Sequence, residues 1–256
     1  MAIKIVVNGP AGAGKTELLR SLDETAFVVS RDAKEFAIPL PHMLVDTYYD
    51  MQTFIYGADK ATDEGTIHVD GITDKLYAFK EAFGVYPATV VIDSVSQIFM
   101  DVIDKASQTP NVYGSQGAEV TKEMALLTSF IHEELELSGI NVILLNHVIE
   151  EKVDGKGTGT FIPFGSGKFL TKGGFYSTTN ESITILPEGS HRAVYTRGAN
   201  KQARTANPDV PDKMYVENTV HPDKSKKLKE DESYFTLKGY MDLLLSSQTD
   251  VKKWAL

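Results

Sequence analysis

Residues 9–16 read Gly9-Pro10-Ala11-Gly12-Ala13-Gly14-Lys15-Thr16 and match the spacing G-x-x-x-x-G-K-[ST]. The flanks are those the spacing requires. Ile3-Lys4-Ile5-Val6-Val7 upstream is a short β-branched run, as in a buried strand, and Thr16-Glu17-Leu18-Leu19-Arg20-Ser21-Leu22 downstream places leucines at helical spacing. Strand, glycine loop and helix in this order point to one ligand class, a nucleoside triphosphate with magnesium. The alternative, a glycine-rich turn with a chance lysine, leaves both flanks unexplained.

The physics of such a loop is direct. Gly9, Gly12 and Gly14 admit backbone geometry that side chains forbid. Successive N–H groups, aided by the helix N-terminus that follows, turn toward a β-phosphate. Lys15 supplies a point charge between the β- and γ-phosphates, the Thr16 hydroxyl is placed to ligate Mg²⁺, and Glu17 is counted with the loop as a cofactor-binding residue.

A chain of 256 residues holds one large α/β domain or two small ones. Without cysteine it has neither disulfides nor thiolate chemistry, which suits the cytoplasm. The N-terminus runs into the first strand without a charged-then-apolar leader. No stretch approaches the ~18 apolar residues that span a bilayer. A net charge of −9 excludes a uniformly basic nucleic-acid-binding surface and leaves room for a local basic groove.

Further strands are expected at 26–30, 43–46, 88–94 and 140–147, and paired strands at 181–186 and 192–196. Helices are expected at 73–83, with Thr73 as cap, at 97–105 and at 120–138, the last closed by Gly139. Residues 58–70, 107–117 and 150–174 read as turns or loops, 199–232 as irregular and charged, and 234–245 as a helix or a strand then a helix. The alternation predicts an α/β fold with a mostly parallel central sheet flanked by helices and antiparallel strands toward the C-terminus. A core over 1–205 would carry 206–256 as an extension within a single domain.

Val90-Val91-Ile92-Asp93 places an acid at the carboxyl end of a buried strand, where α/β ligand sites lie. With the loop about 80 residues upstream, Asp93 is a candidate Mg²⁺ ligand acting through water. The competing reading makes it the cap of the next helix.

Asp93-Ser94-Val95-Ser96 resembles the Walker B segment of RecA-like recombinases, and Leu144-Leu145-Asn146-His147-Val148 resembles their next core strand, which ends in a residue sensing the γ-phosphate. Residues 107–119 and 150–172 fall where that family has its two DNA-binding loops. Arg197-Gly198-Ala199-Asn200-Lys201-Gln202-Ala203-Arg204 resembles its late basic segment, which reaches a neighbouring subunit's nucleotide. More narrowly, Ser30-Arg31-Asp32, Asn146-His147-Val148 and Lys201 to Arg204 are similar to small phage ATP-binding proteins, including RecA-like single-strand annealing proteins. The resemblance covers about residues 1–205.

It implies a RecA-like P-loop NTPase that binds Mg-ATP and acts on single-stranded DNA in phage recombination or replication, by annealing or strand pairing. It implies a ring or filament of identical subunits, a phage single-strand-binding protein as partner, no membrane, and the cytoplasm of an infected or lysogenic host. It implies Lys15, Asp93, His147 and Arg204 as catalytic residues and Asn146 as a nucleotide sensor.

One departure stands out. Where the recombinases follow strand two with Asp-x-Glu, whose Glu activates water, this chain has Val29-Ser30-Arg31-Asp32-Ala33-Lys34-Glu35. Arg31 takes the glutamate's place, so Asp32 becomes the candidate base and Glu35 the next carboxylate. Lys152, Lys156 and Lys168 with Phe161 and Phe164 are the candidate DNA contacts, lysines for phosphates and aromatics for bases. An ordinary surface loop accounts for them equally well, as core-edge packing does for His147. Two other functions remain open: a small-molecule kinase, and an ATP-dependent scaffold or loader that does not turn over.

Overall fold

The computed structural model describes residues 2–31, 38–108, 115–163, 179–217 and 225–251. The chain divides into two compact units, one of Ile3–Asp23 with Ile143–Leu256 and one of Glu24–Val142.

In the first unit β1 (Lys4–Gly9) is buried along its whole length, as a continuous apolar run in a parallel sheet must be. It pairs in parallel with β9 (Glu181–Glu188), Ile5 opposite Glu181 and Asn8 opposite Thr184. β7 (Asn141–Val153) lies along its other edge and belongs to this unit from Ile143 onward. β8 (Lys156–Pro163) folds back antiparallel on β7. Beyond β9 come β10 (His191–Tyr195) and β11 (Lys213–Val216), both antiparallel to their predecessors, and then β12 (Tyr234–Phe235), parallel to β11. Helix α5 (Leu237–Val251) begins against the segment after the glycine loop, where Leu237 N donates to Ser21 Oγ at 3.0 Å.

In the second unit β2 (Ala26–Ser30) runs parallel between β3 (His42–Leu44) and β6 (Thr89–Asp93). Among the described residues four helices follow the chain: α1 (Met51–Tyr56), α2 (Ile72–Phe83), α3 (Val95–Ser107) and α4 (Ser115–Ser129), the last running on into a wide π-helical turn over Phe130–Glu136. Phe79 of α2 meets Phe27 of β2 edge to face at 6.1 Å. Met124, Leu127, Ile131 and Leu135 line up as one fully buried stripe, the spacing of a helix with a core-facing side.

The α/β class and its mostly parallel pairing match the expectation, and the antiparallel strands fall where it placed them. Several local expectations do not survive. Residues 58–70 are a hairpin, β4 (Ala58–Thr62) against β5 (Gly65–Val69). The stretch from Glu150 is not a loop through Pro163, because β7 and β8 form a long hairpin whose turn sets Asp154 at φ +51° and Gly155 at φ +76°. Both central residues with φ > 0 define the turn whose twist matches paired strands. The loop expected from 107 to 117 ends sooner, since α4 starts at Ser115. After the glycine loop the chain makes a tight 3-10 turn over Thr16–Ser21 rather than an α-helix. Helix α2 is closed at its start by Asp74, whose carboxylate accepts from Gly71 N at 2.9 Å, so Thr73 is not the cap.

Candidate functional site

β1 delivers the chain to Gly9 beside β9. A methyl group there would stand 2.8 Å from Ile185 Cγ2 and 2.9 Å from Ile185 O, so the close strand approach demands glycine. Pro10 O accepts from Ala13 N at 3.2 Å, turning the chain, and Gly14 takes φ +91°, a left-handed value that side chains disfavour. Ala11 and Gly12 are exposed at the crest while Ala13 is buried beneath it. Thr16 opens the 3-10 turn, and Glu17 faces solvent in an ion pair with Arg20 at 2.6 Å.

Lys15 is only 6% exposed. Its ammonium donates to Gly9 O at 2.8 Å and Pro10 O at 3.1 Å, and His147 Nδ1 lies 3.3 Å away. With the ammonium as donor, Nδ1 is the acceptor and the imidazole proton sits on Nε2. The loop's own carbonyls thus hold the lysine inside the curve of the loop, with His147 beside it at the end of β7's buried stretch. This brings two of the expected catalytic residues together.

Behind them runs a buried polar chain. Asn146 Nδ2 donates to Asn8 Oδ1 at 3.0 Å, and Asn8 Nδ2 donates to Ser182 Oγ at 3.0 Å and Gln202 O at 3.1 Å. Ser182 Oγ also donates to Gln202 O, and Thr184 Oγ1 to Lys201 O. Gln202 sits at φ +55°, a conformation that costs a non-glycine residue energy, and these donors to the 201–202 backbone hold it there. The sensor candidate Asn146 is therefore joined to the late basic segment through Asn8. Sequence reasoning missed Asn8, Ser182 and Thr184, which carry no motif and meet only through the pairing of β1 with β9.

The basic residues of that segment have separate surroundings. Arg197 donates to Val210 O at 2.7 Å and Asn207 O at 2.5 Å and pairs with Asp212, so it organises the 205–212 turn. Lys201 lies over the Tyr195 ring at 4.4 Å. Arg204 is exposed at the start of β9, its Nη2 donating to Thr179 O at 2.8 Å. Arg192 of β10 was not among the expected site residues, yet its guanidinium covers Gly14.

In the second unit Asp93 ends β6 opposite Ser30, and its carbonyl accepts from Arg31 N at 3.1 Å. The cap of α3 is Ser94, whose Oγ accepts from Gln97 N at 3.3 Å. The capping role that competed for Asp93 is thus taken by its neighbour, leaving a partly buried carboxylate at a strand end. Arg31 Nε pairs with Asp101 at 2.6 Å, and its Nη1 reaches Val45 O. Asp32 and Glu35 lie outside the described residues, as do Phe164 and Lys168.

Lys152 and Lys156 stand on the β7–β8 hairpin. Lys152 is opposite Gly157 and Val153 opposite Lys156, so the two lysines occupy opposite faces. Glu150 turns its carboxylate onto Gly159 N at 2.9 Å, and Phe161 is half-buried opposite Glu150.

Hydroxyl and carboxylate oxygens at Thr16 and Asp93 are the hard donors that Mg²⁺ takes. Among the described residues no helix is long and apolar enough to cross a membrane. No curated protein matches the chain. The glycine loop and the ends of β6 and β7 all lie within residues 1–172, the stretch matched by a family model described as an AAA domain, and on that match the chain belongs to the AAA domain family of nucleotide-binding, ATPase-type proteins.

Proposed function

We propose that this protein binds Mg-ATP at residues 9–16 and hydrolyses it while acting on single-stranded DNA, as an assembly of identical subunits in phage recombination or replication. The observation that carries the nucleotide reading is Lys15, buried inside its loop on two backbone carbonyls and beside His147. An arriving phosphate exchanges those neutral acceptors for anionic oxygens, which bind an ammonium more strongly. The loop amides hold the β-phosphate, Lys15 bridges to the γ-phosphate, and Asn146 and His147 respond to the presence of that group. Magnesium, when bound, neutralises phosphate charge, with the Thr16 hydroxyl and the Asp93 carboxylate as its protein oxygens. Water attacks the γ-phosphorus, the bond to the β–γ bridging oxygen breaks, and ADP and phosphate leave. Asp32 is the residue proposed to take the water's proton.

The DNA reading is supported by the resemblance of 150–172 and by Lys152, Lys156 and Phe161 on one hairpin. A second reading, an ATP-bound clamp or loader with little turnover, is favoured by Arg31, which stands where recombinases carry the water-activating glutamate and is tied to Asp101. ATP hydrolysis measured with and without single-stranded DNA, at low and moderate salt, separates them. DNA-stimulated, salt-sensitive turnover supports the first, binding without turnover supports the second, and phosphate transfer to a metabolite without DNA overturns both in favour of a kinase.

A further inference from the structure

The glycine loop has two flanks in its own unit. On one edge of β1 is β7, which brings Asn146 and His147 to the side where the Lys15 ammonium lies. On the other edge is β9, parallel to β1, so its carboxyl end emerges level with the loop. The chain turns at Gly189, φ +59°, and β10 comes back with Arg192 opposite Pro187. This places the guanidinium on Gly14: a methyl group there would stand 2.2 Å from Arg192 Nη1, 3.0 Å from Cζ and 3.4 Å from Cδ. The guanidinium occupies the space that a side chain at residue 14 would take, and any side chain there would displace it. Arg192 is exposed, and among the described residues its guanidinium has neither an ion pair nor a hydrogen-bond partner. Its neighbours Arg197 and Arg204, by contrast, are spent on backbone carbonyls.

A triphosphate along this loop has its γ end at Lys15 and His147. On the triphosphate reading, this leaves the flank of β9 and β10 for its nucleoside end. A guanidinium is planar, weakly hydrated and able to stack on an aromatic ring while its edge donates hydrogen bonds. We infer that Arg192 binds the nucleoside end of the nucleotide, its plane against the base, and that Gly14 lacks a side chain partly so that Arg192 can take this position. The inference rests on the reading of residues 9–16 as a triphosphate site and adds the base contact to it.

Calorimetric titration of the full chain with Mg-ATP, beside photolabelling with 8-azido-ATP, tests it. Arg192→Ala is expected to weaken ATP binding about tenfold, the size of a desolvated cation–π contact. Arg192→Lys is expected to recover little of that loss, since a point charge lacks the plane. The azide should label the tryptic segments around 188–196. Arg192→Ala binding within about twofold of wild type, full recovery by Arg192→Lys, or labelling confined to other segments overturns the inference. Wild-type protein that takes up no ATP would instead overturn the triphosphate reading. Unchanged thermal unfolding of both variants, expected for an exposed side chain, separates the effect from misfolding.

Discussion

Asn146 Nδ2 donates to Asn8 Oδ1 across 3.0 Å between two buried side chains. The second half of the Asn8 amide goes to Ser182 Oγ and Gln202 O. One amide thus joins the strand end expected to read the γ-phosphate to the backbone of the late basic segment. A buried amide in such a chain is costly to lose, because each partner left behind is a desolvated group without its bond.

Asn8→Ala is therefore expected to destabilise the protein by about 1–3 kcal/mol, read from urea unfolding. Asn146→Ala should cost a similar amount, and the double variant less than the sum by at least ~0.5 kcal/mol, because the two share one bond. Full additivity would show that the contact carries no coupling.

What the sequence makes legible is local. Gly9 to Thr16 is a motif within eight residues, and Val90 to Asp93 is an apolar run ending in an acid. The β7–β8 hairpin was legible in principle from Asp154-Gly155 between β-rich runs. Its composition nevertheless reads as a loop, because glycine and lysine dominate on both sides. The contacts of Asn8 with Ser182 and of Gly14 with Arg192 span more than 170 residues and exist only because β9 pairs with β1 and β10 folds back. Nothing local in Ser182 or Arg192 marks them.

Arg31 and Asp101 are each largely shielded from water and 2.6 Å apart. Removing one partner leaves the other shielded and unpaired, so Arg31→Ala should cost on the order of 3 kcal/mol. Arg31→Glu, which introduces the residue that recombinases carry at the matching place, should lower stability further by placing two carboxylates together and should not raise turnover. A gain in ATP hydrolysis by Arg31→Glu would show that the position is catalytic rather than structural.

The phenol of Tyr240 donates to Glu181 Oε2 at 2.8 Å, and burial, reinforced by the nearby carboxylate, pushes its ionisation well above the ordinary value of 10.0. A raised folded-state value means that the neutral form is favoured by folding. The stabilisation is fully present below pH ~10 and declines as pH rises above it, when the unfolded chain loses the proton first. Unfolding free energy should fall through this alkaline range, and Tyr240→Phe should make the fall shallower. Some slope should persist, because burial and Glu123 also raise Tyr48. An unchanged slope in Tyr240→Phe would mean that the phenol ionises alike in both states.

Arg204 stands exposed at the start of β9, its backbone paired with Ser182 and its guanidinium on Thr179 O. β9 and β1 are parallel, and Ser182 is opposite Val6, three residues before the strand delivers the chain to Gly9. Within its own unit the Arg204 backbone is therefore held about midway along β1, with its guanidinium turned onto Thr179 O, and the proposed role at the nucleotide of a neighbouring subunit is tested by its removal. Arg204→Ala should then leave ATP affinity within about twofold and lower turnover by about 10³ or more, the range for arginine fingers. Mixing supplies the decisive measurement. Lys15→Ala subunits lack their own phosphate lysine and Arg204→Ala subunits lack the donated arginine. In a mixed assembly some interfaces place an intact loop against an intact arginine, so two inactive proteins should regain part of the turnover when combined. No recovery on mixing, with both variants folded and assembled, would remove Arg204 from the reaction.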